Sequence, residues 1–480
     1  MRWLLILLLT LTTSWETFAQ FRERRPQNVV LILSDDHRYD FMSFMDQAPD
    51  FLETPGMDRM AREGAHLRNA FVTTSLCSPS RASILTGQYA HRHGVVDNTT
   101  PVPPDVRFFP QDLQAAGYRT AFIGKWHMGE ADDHPRPGFD YWVSFRGQGV
   151  YYNPTLNVNG LRVRREGYIT DLLTDYAIEW LRERTADGAP FFLYLSHKAV
   201  HAEFEPAERY AGRYAGVAIP YPPTMANTES NYRNKPHWVQ AQRKSWHGVD
   251  YAYHGQFDFD TFYRRYAETL LALDESISRV LDFLEQSGLA ENTLVIYMSD
   301  NGFLLGEHGL IDKRNAYEES IRIPMLVWAP GYIAPGTKID ALVRNIDIAP
   351  TILELTGVST TIPMDGRSFL GLLTDPQANE EDREFLYEYY WEYAFPHTPT
   401  TFALRGDRFK YIFYHGIWDI QELYDLELDP LEQHNLIFVP AYQSLVQQMR
   451  NRLFDLLEEA DAMRVPVRRG SWQAGERKLD

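Results

Sequence analysis

The sequence predicts an α/β protein built on one large, mixed but mostly parallel sheet that helices cover on both faces. Four short apolar runs are continuous rather than alternating, which is typical of strands buried on both sides. They cover residues 29–33, 120–123, 191–195 and 294–298. Helical stretches lie between them, over residues 111–116, 169–182 and 263–286. This alternation of strand and helix favours helices on both faces of the sheet.

The first residues predict a signal peptide. Arg2 precedes an apolar run over residues 3–11, and Thr17-Phe18-Ala19 supplies a small residue before Gln20. A short positive end, a short apolar core and a small residue at the cut are the features of a secretory signal. A membrane anchor is the alternative, but the run is too short to span a bilayer. We therefore expect residues 1–19 to be removed near Ala19, giving a secreted or periplasmic protein without a membrane partner.

The net charge is −18 over 480 residues, and removal of residues 1–19 leaves it unchanged because one arginine and one glutamate are lost. An acidic protein is poorly suited to nucleic acids or to anionic membrane surfaces, so we expect neither as a partner. An anionic substrate would have to be held by a local cluster of cations.

The C-terminal quarter predicts a smaller α+β subdomain with an antiparallel sheet. Strand-like runs at residues 385–390, 401–404 and 409–414 precede a helix at 441–460. The charge-rich residues 379–383 are expected to be a linker, so the large domain spans 20–375 and the subdomain 376–480. The aromatic run at 387–393 could stack on sugar faces or lie in the core. Residues 205–260 look like a long insertion, a kind of segment that is often functional.

Polar residues follow each of the four predicted strands directly. The ligands of open α/β sheets bind at the carboxyl ends of the strands, so these residues should share one edge. They are Asp35-Asp36, Lys125 with His127, His197 with His201, and Asp300-Asn301. Two adjacent aspartates could merely cap a helix. Together with Asp300-Asn301 they offer only hard oxygen ligands, which favours Ca²⁺ or Mg²⁺ over zinc.

Cys77 is the only cysteine, so it cannot form an intramolecular disulfide. A lone cysteine is often just a small buried side chain. Here it opens the run Cys77-Ser78-Pro79-Ser80-Arg81, where a serine cap and a proline in the first turn predict the start of a helix. The helix N-terminus and Arg81 both favour negative charge at this point.

Residues 77–87 resemble the type I sulfatase motif C-x-P-S-R-x-x-x-L-T-G throughout its length. Gly117-Tyr118-Arg119-Thr120 with Gly124-Lys125-Trp126-His127 is similar to the second motif of that family. Further similar segments are Ser299-Asp300-Asn301-Gly302, Asp312-Lys313-Arg314, and Glu422-Leu423-Tyr424-Asp425 with Asp429-Pro430. The resemblance extends from about Asn28 to Leu436. It implies an alkaline-phosphatase-like fold, with residues 20–375 as the catalytic domain.

The resemblance also implies a mechanism. A maturation enzyme would convert Cys77 to formylglycine, whose hydrated aldehyde carries two hydroxyls. One would attack sulfur and release the alcohol, and the other would lose its proton and expel sulfate. One calcium ion would be held by Asp35, Asp36, Asp300, Asn301 and the modified Cys77.

Further roles follow from the same resemblance. Arg81, Lys125 and Lys313 would balance charge on the sulfuryl group. His127 would help to break down the sulfated intermediate, and His201 would protonate the leaving oxygen. The match of Lys313 is at variable spacing, and a surface lysine is its alternative. His197 and His308 are candidate substrate contacts from their position alone.

The sequence thus predicts a sulfuric ester hydrolase that removes sulfate from a sulfated poly- or oligosaccharide. A phosphonate or phosphodiester hydrolase with the same modified cysteine is the nearest alternative, because a fold does not fix a function. A non-catalytic sulfoglycan-binding protein is the alternative from another class. It would keep the cations but could lose the nucleophile or the acid, and every proposed catalytic residue is present.

Overall fold

The computed structural model describes residues 25–129, 132–255, 258–378 and 384–466. Its larger sheet has ten strands in the order β10-β2-β9-β8-β1-β7-β3-β4-β5-β6. These are β1 Asn28–Ser34, β2 Ala65–Phe71, β3 Arg119–Lys125, β4 Tyr141–Phe145, β5 Thr155–Val158, β6 Leu161–Arg164, β7 Phe191–Ser196, β8 Thr293–Ser299, β9 Met325–Trp328 and β10 Thr337–Arg344. The predicted signal peptide and its cleavage site lie outside the described residues.

The four predicted strands are confirmed and form the centre of the sheet. They are β3, β7, β1 and β8, which are neighbours and run parallel to one another. Each begins or ends one to two residues beyond the predicted run. Because they are parallel, their carboxyl ends meet at one edge, as the residues that follow them require.

The predicted mixed character of the sheet comes from its flanks. β9 is antiparallel to both β8 and β2, and β5 and β6 form an antiparallel hairpin beside β4. These flanking strands are short or carry exposed polar residues, so they lack the continuous apolar pattern of a strand buried on both faces.

Helices cover both faces of the large sheet. The α-helices of the described residues are α1 Pro55–Glu63, α2 Cys77–Thr86, α3 Ala90–His93, α4 Pro110–Ala115, α5 Ile169–Asp187, α6 Glu229–Tyr232, α7 His237–Gln242, α8 Phe259–Gln286, α9 Glu318–Ile321, α10 Ile348–Thr356 and α11 Gln443–Glu459. Those that cover the large sheet are α1, α5 and α8 on one face and α2, α4 and α10 on the other. Along β1, Val30 and Ile32 join a core formed with α1, α5 and α8. Val29 and Leu31 join a second core with α2, α4 and α10. The α/β prediction is confirmed.

A second sheet is antiparallel and has the order β11-β12-β13-β14. Its strands are β11 Glu384–Tyr389, β12 Thr400–Gly406, β13 Phe409–His415 and β14 Glu422–Asp425, and α11 packs on it. The predicted linker 379–383 lies outside the described residues. Of the aromatic run, Tyr387, Tyr389 and Tyr390 are buried, whereas Trp391 and Tyr393 are 44% and 42% exposed. Most of the run therefore belongs to the core.

The described part of the 205–260 insertion contains only short helices, α6 and α7 among them, and no strand of either sheet. Across the described residues, no helix combines the length and apolarity that crossing a membrane requires.

Candidate active site

The acidic residues predicted at the sheet edge lie together. Asp35 and Asp36 follow β1, and Asp300 and Asn301 follow β8. The parallel register pairs Ser34 with Ser299, which sets the two segments side by side. One carboxylate oxygen each of Asp35, Asp36 and Asp300 lies within 4.8 Å of the others. All three side chains are buried.

Asn301 supplies an observation that tests whether this cluster suits a cation. Its Nδ2 donates to Asp36 Oδ1 at 2.6 Å and to the Gly302 carbonyl at 2.8 Å. Its Oδ1 is buried and has no hydrogen-bond partner among the described residues. A buried acceptor without a donor is costly, whereas a hard cation would satisfy it. The donor set therefore fits a calcium or magnesium ion.

The charges of the cluster also favour a bound cation. Burial, together with the neighbouring Asp35 and Asp300, raises the pKa of Asp36 to about 6 against the opposing effect of Lys313. Burial and Asp35 likewise raise the pKa of Asp300. Burial also acts on Asp35, but the charges around it, led by Lys125, hold its pKa well below the ordinary range. Carboxylates that repel one another in a buried place are the usual surroundings of a bound cation.

Cys77 opens helix α2 as predicted, with Pro79 in the first turn. The expected serine cap is wrong. Leu76 occupies the cap position without a side-chain hydrogen bond, and the Ser78 hydroxyl donates to the His127 carbonyl instead. That bond ties the start of α2 to the segment after β3. Ser78 therefore positions two predicted site residues relative to each other.

The sulfur of Cys77 is buried among charges. Lys313 Nζ donates to Cys77 Sγ at 2.8 Å, and the thiol donates to Asp35 Oδ1 at 3.4 Å. Sγ, an Asp35 oxygen and a His201 nitrogen lie within 4.8 Å of one another. Burial, with Asp35, raises the pKa of the Cys77 thiol to about 12. An unmodified Cys77 is therefore protonated and a poor nucleophile at neutral pH.

Arg81 lies one helical turn after Cys77 and commits all its donors inside the protein. Nε donates to Asp300 Oδ2 at 2.9 Å, and the two terminal nitrogens reach Asp35, Asp300, the Lys125 carbonyl and the Ser196 hydroxyl. The guanidinium thus holds the two carboxylates in place. Any effect of Arg81 on the sulfuryl charge would pass through Asp35 and Asp300.

The two lysines face the same cluster. Lys125 Nζ donates to Asp35 Oδ2. It also donates to Gln148 Oε1, at 2.5 Å. Lys313 Nζ donates to Asp36 Oδ1, and its side chain is almost wholly buried. The surface-lysine alternative for Lys313 is therefore wrong.

His127 and His201 lie on either side of the cluster. His127 Nδ1 is 3.4 Å from the Ser78 hydroxyl, and its buried Nε2 has no partner among the described residues. His201 Nδ1 bonds to the Ala202 carbonyl at 2.5 Å, and Nε2 lies 3.9 Å from Asp36 Oδ2. Burial, aided by Lys125, lowers the pKa of both imidazoles well below the usual value. Both rings are therefore neutral at pH 7, and the Nε2 atom of neither is engaged in a hydrogen bond among the described residues.

His197 and His308 are not brought into this network. His197 Nε2 bonds to the Ser276 hydroxyl of helix α8 at 3.1 Å, on the helix side of the sheet. His308 packs against Tyr317 with 4.1 Å between ring centroids. His197 and His308 therefore lie outside the network of bonds around Cys77, and their role as substrate contacts stays a prediction.

Sequence reasoning missed several residues of the site. Gln148, Ser196 and Ser78 orient the predicted residues through the bonds described above, and Lys198 lies three residues before His201. No motif marks Gln148, because it comes from a loop after β4. Lys198 carried a signal, since it lies inside the polar segment that follows β7.

The sulfatase family matches residues 27–358, more than half of the chain. The C-terminal region of N-sulphoglucosamine sulphohydrolase matches residues 306–459. An N-acetylglucosamine-6-O-sulfatase of Bacteroides thetaiotaomicron is 32% identical over 92% of this chain and 87% of its own length.

Comparison with solved structures supports the same family. A protein in complex with its substrate, D-glucosamine-2-N,6-O-disulfate, superposes with a TM-score of 0.83 at 30% identity, covering 92% of this chain and 99% of that one. The phosphonate monoester hydrolase of Agrobacterium radiobacter shares only the fold, at 20% identity and a TM-score of 0.74, over 91% of this chain and 96% of that one. The chain that carries this buried cysteine beside a cluster of acidic oxygen ligands therefore belongs to the sulfatase family and is a sulfuric ester hydrolase.

Proposed function

We propose that the protein removes the 6-O-sulfate of glucosamine residues in a sulfated glycosaminoglycan or its oligosaccharides. One observation carries this proposal. A relative that is 32% identical over nine tenths of the chain is named an N-acetylglucosamine-6-O-sulfatase, and a solved structure that is 30% identical over the same share holds D-glucosamine-2-N,6-O-disulfate as its substrate. Likeness over such a length includes the segments that line the site. The Agrobacterium hydrolase, which shares the fold alone, gives no comparable support to the phosphonate alternative.

The nucleophile of the proposed reaction derives from Cys77. A thiol with a raised pKa, hydrogen-bonded to a carboxylate, is a poor nucleophile, and that supports its conversion to formylglycine by a maturation enzyme. Formylglycine would supply a hydrated aldehyde with one hydroxyl to attack sulfur and another to expel sulfate. Asp35 Oδ1 is placed to accept a proton from a group at the Cys77 position, and Lys313 is placed to donate to it.

A single divalent cation, which we propose to be calcium, would be held by Asp35, Asp36, Asp300 and Asn301, with the modified Cys77 adjacent. When bound it would neutralise sulfate oxygens and acidify a neighbouring hydroxyl. The oxygen-only donors and the unpartnered Asn301 Oδ1 support this assignment. Arg81 and Lys125 would keep the carboxylates aligned toward the ion through their bonds to Asp35 and Asp300.

Two histidines would carry out the remaining proton transfers. His127 is neutral with a free Nε2, which suits acceptance of a proton from the second hydroxyl. The neutral His201 ring uses its one proton on Nδ1, which donates to the Ala202 carbonyl. Nε2 would therefore take up a proton when the anionic sulfate ester binds, and would then pass it to the leaving sugar oxygen. This division of labour supports catalysis rather than mere binding of a sulfated glycan, because a binding protein needs neither group.

We also propose that the protein acts after export, with cleavage near Ala19, and that residues 20–375 and 376–480 form its catalytic domain and C-terminal subdomain. The short apolar run at the N-terminus supports export. A second sheet that begins at Glu384 supports the division.

Sulfate release from a panel of defined compounds tests the proposed substrate. N-acetylglucosamine 6-sulfate and glucosamine 2-N,6-O-disulfate should be turned over faster than galactosamine 4- or 6-sulfates and a phosphonate monoester. Calcium should restore the chelated enzyme, and zinc should not. Faster turnover of the phosphonate than of every sulfate would identify a phosphonate hydrolase instead. A preference for a galactosamine sulfate would contradict the assigned sugar.

A further inference from the structure

Lys198 is a buried cation that the proposed reaction leaves without a role. It is 3% exposed and follows His197 in the segment after β7. Among the described residues, no carboxylate lies within ion-pair distance of its ammonium, and its one recorded contact is the face of the Tyr151 ring, 4.6 Å from the centroid. A lysine is almost never buried this far unless it is paired. The structure therefore presents an ammonium that lacks its anion.

The neighbouring cations do not share this property. Arg81, Lys125 and Lys313 each contact Asp35, Asp36 or Asp300 directly. Their charges are balanced by the carboxylate cluster around Cys77. Burial and the nearby Lys125 lower the pKa of Lys198 to about 8, against the weaker pull of carboxylates that include Asp35 and Glu205. An anion brought to Lys198 would favour its charged form.

Lys198 is held in a fixed place beside the proposed acid. The Asp35 N–H donates to the Ala199 carbonyl at 2.9 Å, and the Val200 N–H donates to the Asp35 carbonyl at 2.7 Å. The His201 N–H donates to the Lys198 carbonyl at 2.9 Å. The two bonds of Asp35 hold this segment against the end of β1, and the third bond closes the turn from Lys198 to His201. Lys198 and His201 are thus the two ends of one rigid turn.

Tyr151 connects the same two residues from the other side. Its hydroxyl donates to the His201 carbonyl at 2.6 Å, while its ring face lies against the Lys198 ammonium. The ring is fixed in turn by stacking on Tyr168, with 5.7 Å between centroids. A cation held on an aromatic face keeps its remaining N–H donors directed away from the ring. The donors of Lys198 are therefore available next to the leaving-group side of the site.

We propose that Lys198 binds a second anionic substituent on the sugar that carries the scissile sulfate, such as a 2-N-sulfate. This inference rests on the proposed function, because it assumes that His201 marks the leaving-group side. Lys125 and Lys313 lie on the side of the nucleophile, where they would balance charge on the sulfuryl group. An additional unpaired cation beside His201 is therefore positioned to contact the sugar. Lys198 would then select doubly charged over singly charged glucosamine.

The test compares two substrates that differ only at the nitrogen. Glucosamine 2-N,6-O-disulfate carries the second anion, and N-acetylglucosamine 6-sulfate does not. The variant Lys198→Met keeps most of the side-chain volume and removes the charge, and Lys198→Arg restores a cation. Lys338→Met is the matched control, since Lys338 is exposed on edge strand β10. The quantity measured is the ratio of kcat/KM for the disulfate to kcat/KM for the N-acetyl compound.

For Lys198→Met we expect this ratio to fall about 10- to 100-fold, the worth of one charge-assisted hydrogen bond. Lys198→Arg should recover much of it, and Lys338→Met should leave it at the wild-type value. The melting temperature of Lys198→Met should be equal to or above that of wild type, because an unpaired buried charge is lost. An unchanged ratio, whether both rates fall together or neither falls, would overturn the assignment. If the wild type releases sulfate from neither compound, the proposed substrate has failed instead.

Discussion

At the scale of single residues, the site separates groups that organise charge from groups that can move protons. Arg81 spends every donor on protein acceptors, so its part is to hold Asp35 and Asp300 in position. His127 and His201 are neutral; Nε2 of His127 has no hydrogen-bond partner among the described residues, and Nε2 of His201 lies 3.9 Å from Asp36 Oδ2. The cations and the histidines of the site therefore have different roles, which the sequence alone does not distinguish.

His201→Ala tests the assignment of the acid. A sugar alkoxide is a poor leaving group and needs a proton as it departs from sulfur, whereas a nitrophenolate leaves without one. The variant should lose on the order of 10²–10⁴ in kcat/KM on a 6-sulfated glucosamine, the usual effect of a positioned acid, and much less on nitrophenyl sulfate. The comparison requires saturating calcium and a measured aldehyde content. Equal losses on both substrates would show that His201 positions sulfate, and Lys313 would then be the candidate acid.

At the scale of elements, helix α8 joins the core to helix α1 through one buried carboxylate. Asp274 accepts the N–H groups of Gly56 and Met57, both at 2.8 Å, at the start of α1. No side-chain cap from Thr54 is present there, so Asp274 takes the place of a local cap. The same helix α8 holds His197 through Ser276, behind the segment that carries Lys198 and His201.

Asp274→Asn should destabilise the protein by about 1–3 kcal/mol, because an amide can accept only one of the two N–H groups and leaves the other unsatisfied. Urea denaturation monitored by circular dichroism measures the change. Asp282→Asn on the same helix is the control. The Asp282 side chain is 55% exposed, and its ion pair with Arg59 should contribute under about 1 kcal/mol. Equal effects of the two substitutions would contradict the capping role.

The elements also show what the sequence could predict. Strands β1, β3, β7 and β8 are continuous apolar runs because both faces are buried, and that pattern is readable without a structure. Among the polar residues that follow them, Asp35, Asp36, Lys125, Asp300 and Asn301 lie together as predicted, because parallel strands end at one edge of the sheet. Gln148 and Tyr151 come from a loop, whose course no periodicity encodes. The surroundings of His197 and His308 could not be predicted, because the direction of a side chain depends on the packing of helices far away in the sequence.

At the scale of the whole molecule, a histidine links the nucleophile region to the second sheet. His91, in helix α3, bonds through Nδ1 to Glu388 Oε2 of β11 at 2.8 Å and through Nε2 to the Ala460 carbonyl at 2.9 Å. Two acceptors require two ring protons, so the imidazolium form fits this place. Burial alone would lower the pKa of His91, but the hydrogen bond and charge of Glu388 outweigh it and raise the pKa above the usual value.

This contact makes stability depend on pH. Because the folded pKa of His91 exceeds the unfolded one, its contribution is complete below the unfolded pKa of about 6.5 and is lost as pH rises through the folded value. His91→Gln should therefore melt with a smaller difference between pH 6 and pH 9 than wild type. Thermal melts at matched ionic strength measure this, with the exposed His134→Gln as the control. An identical pH dependence in wild type and His91→Gln would contradict the role of His91.

If the proposed function holds, oxidation of Cys77 to formylglycine turns this chain into an active glucosamine 6-sulfatase. Preparations with different degrees of maturation can be compared by peptide mass spectrometry of the Cys77 segment and by sulfate release from N-acetylglucosamine 6-sulfate in calcium. Turnover should rise in proportion to the aldehyde fraction and should be absent from Cys77→Ala. A preparation that is entirely thiol yet fully active, or one that is entirely aldehyde yet inactive on this sulfate, would contradict the claim.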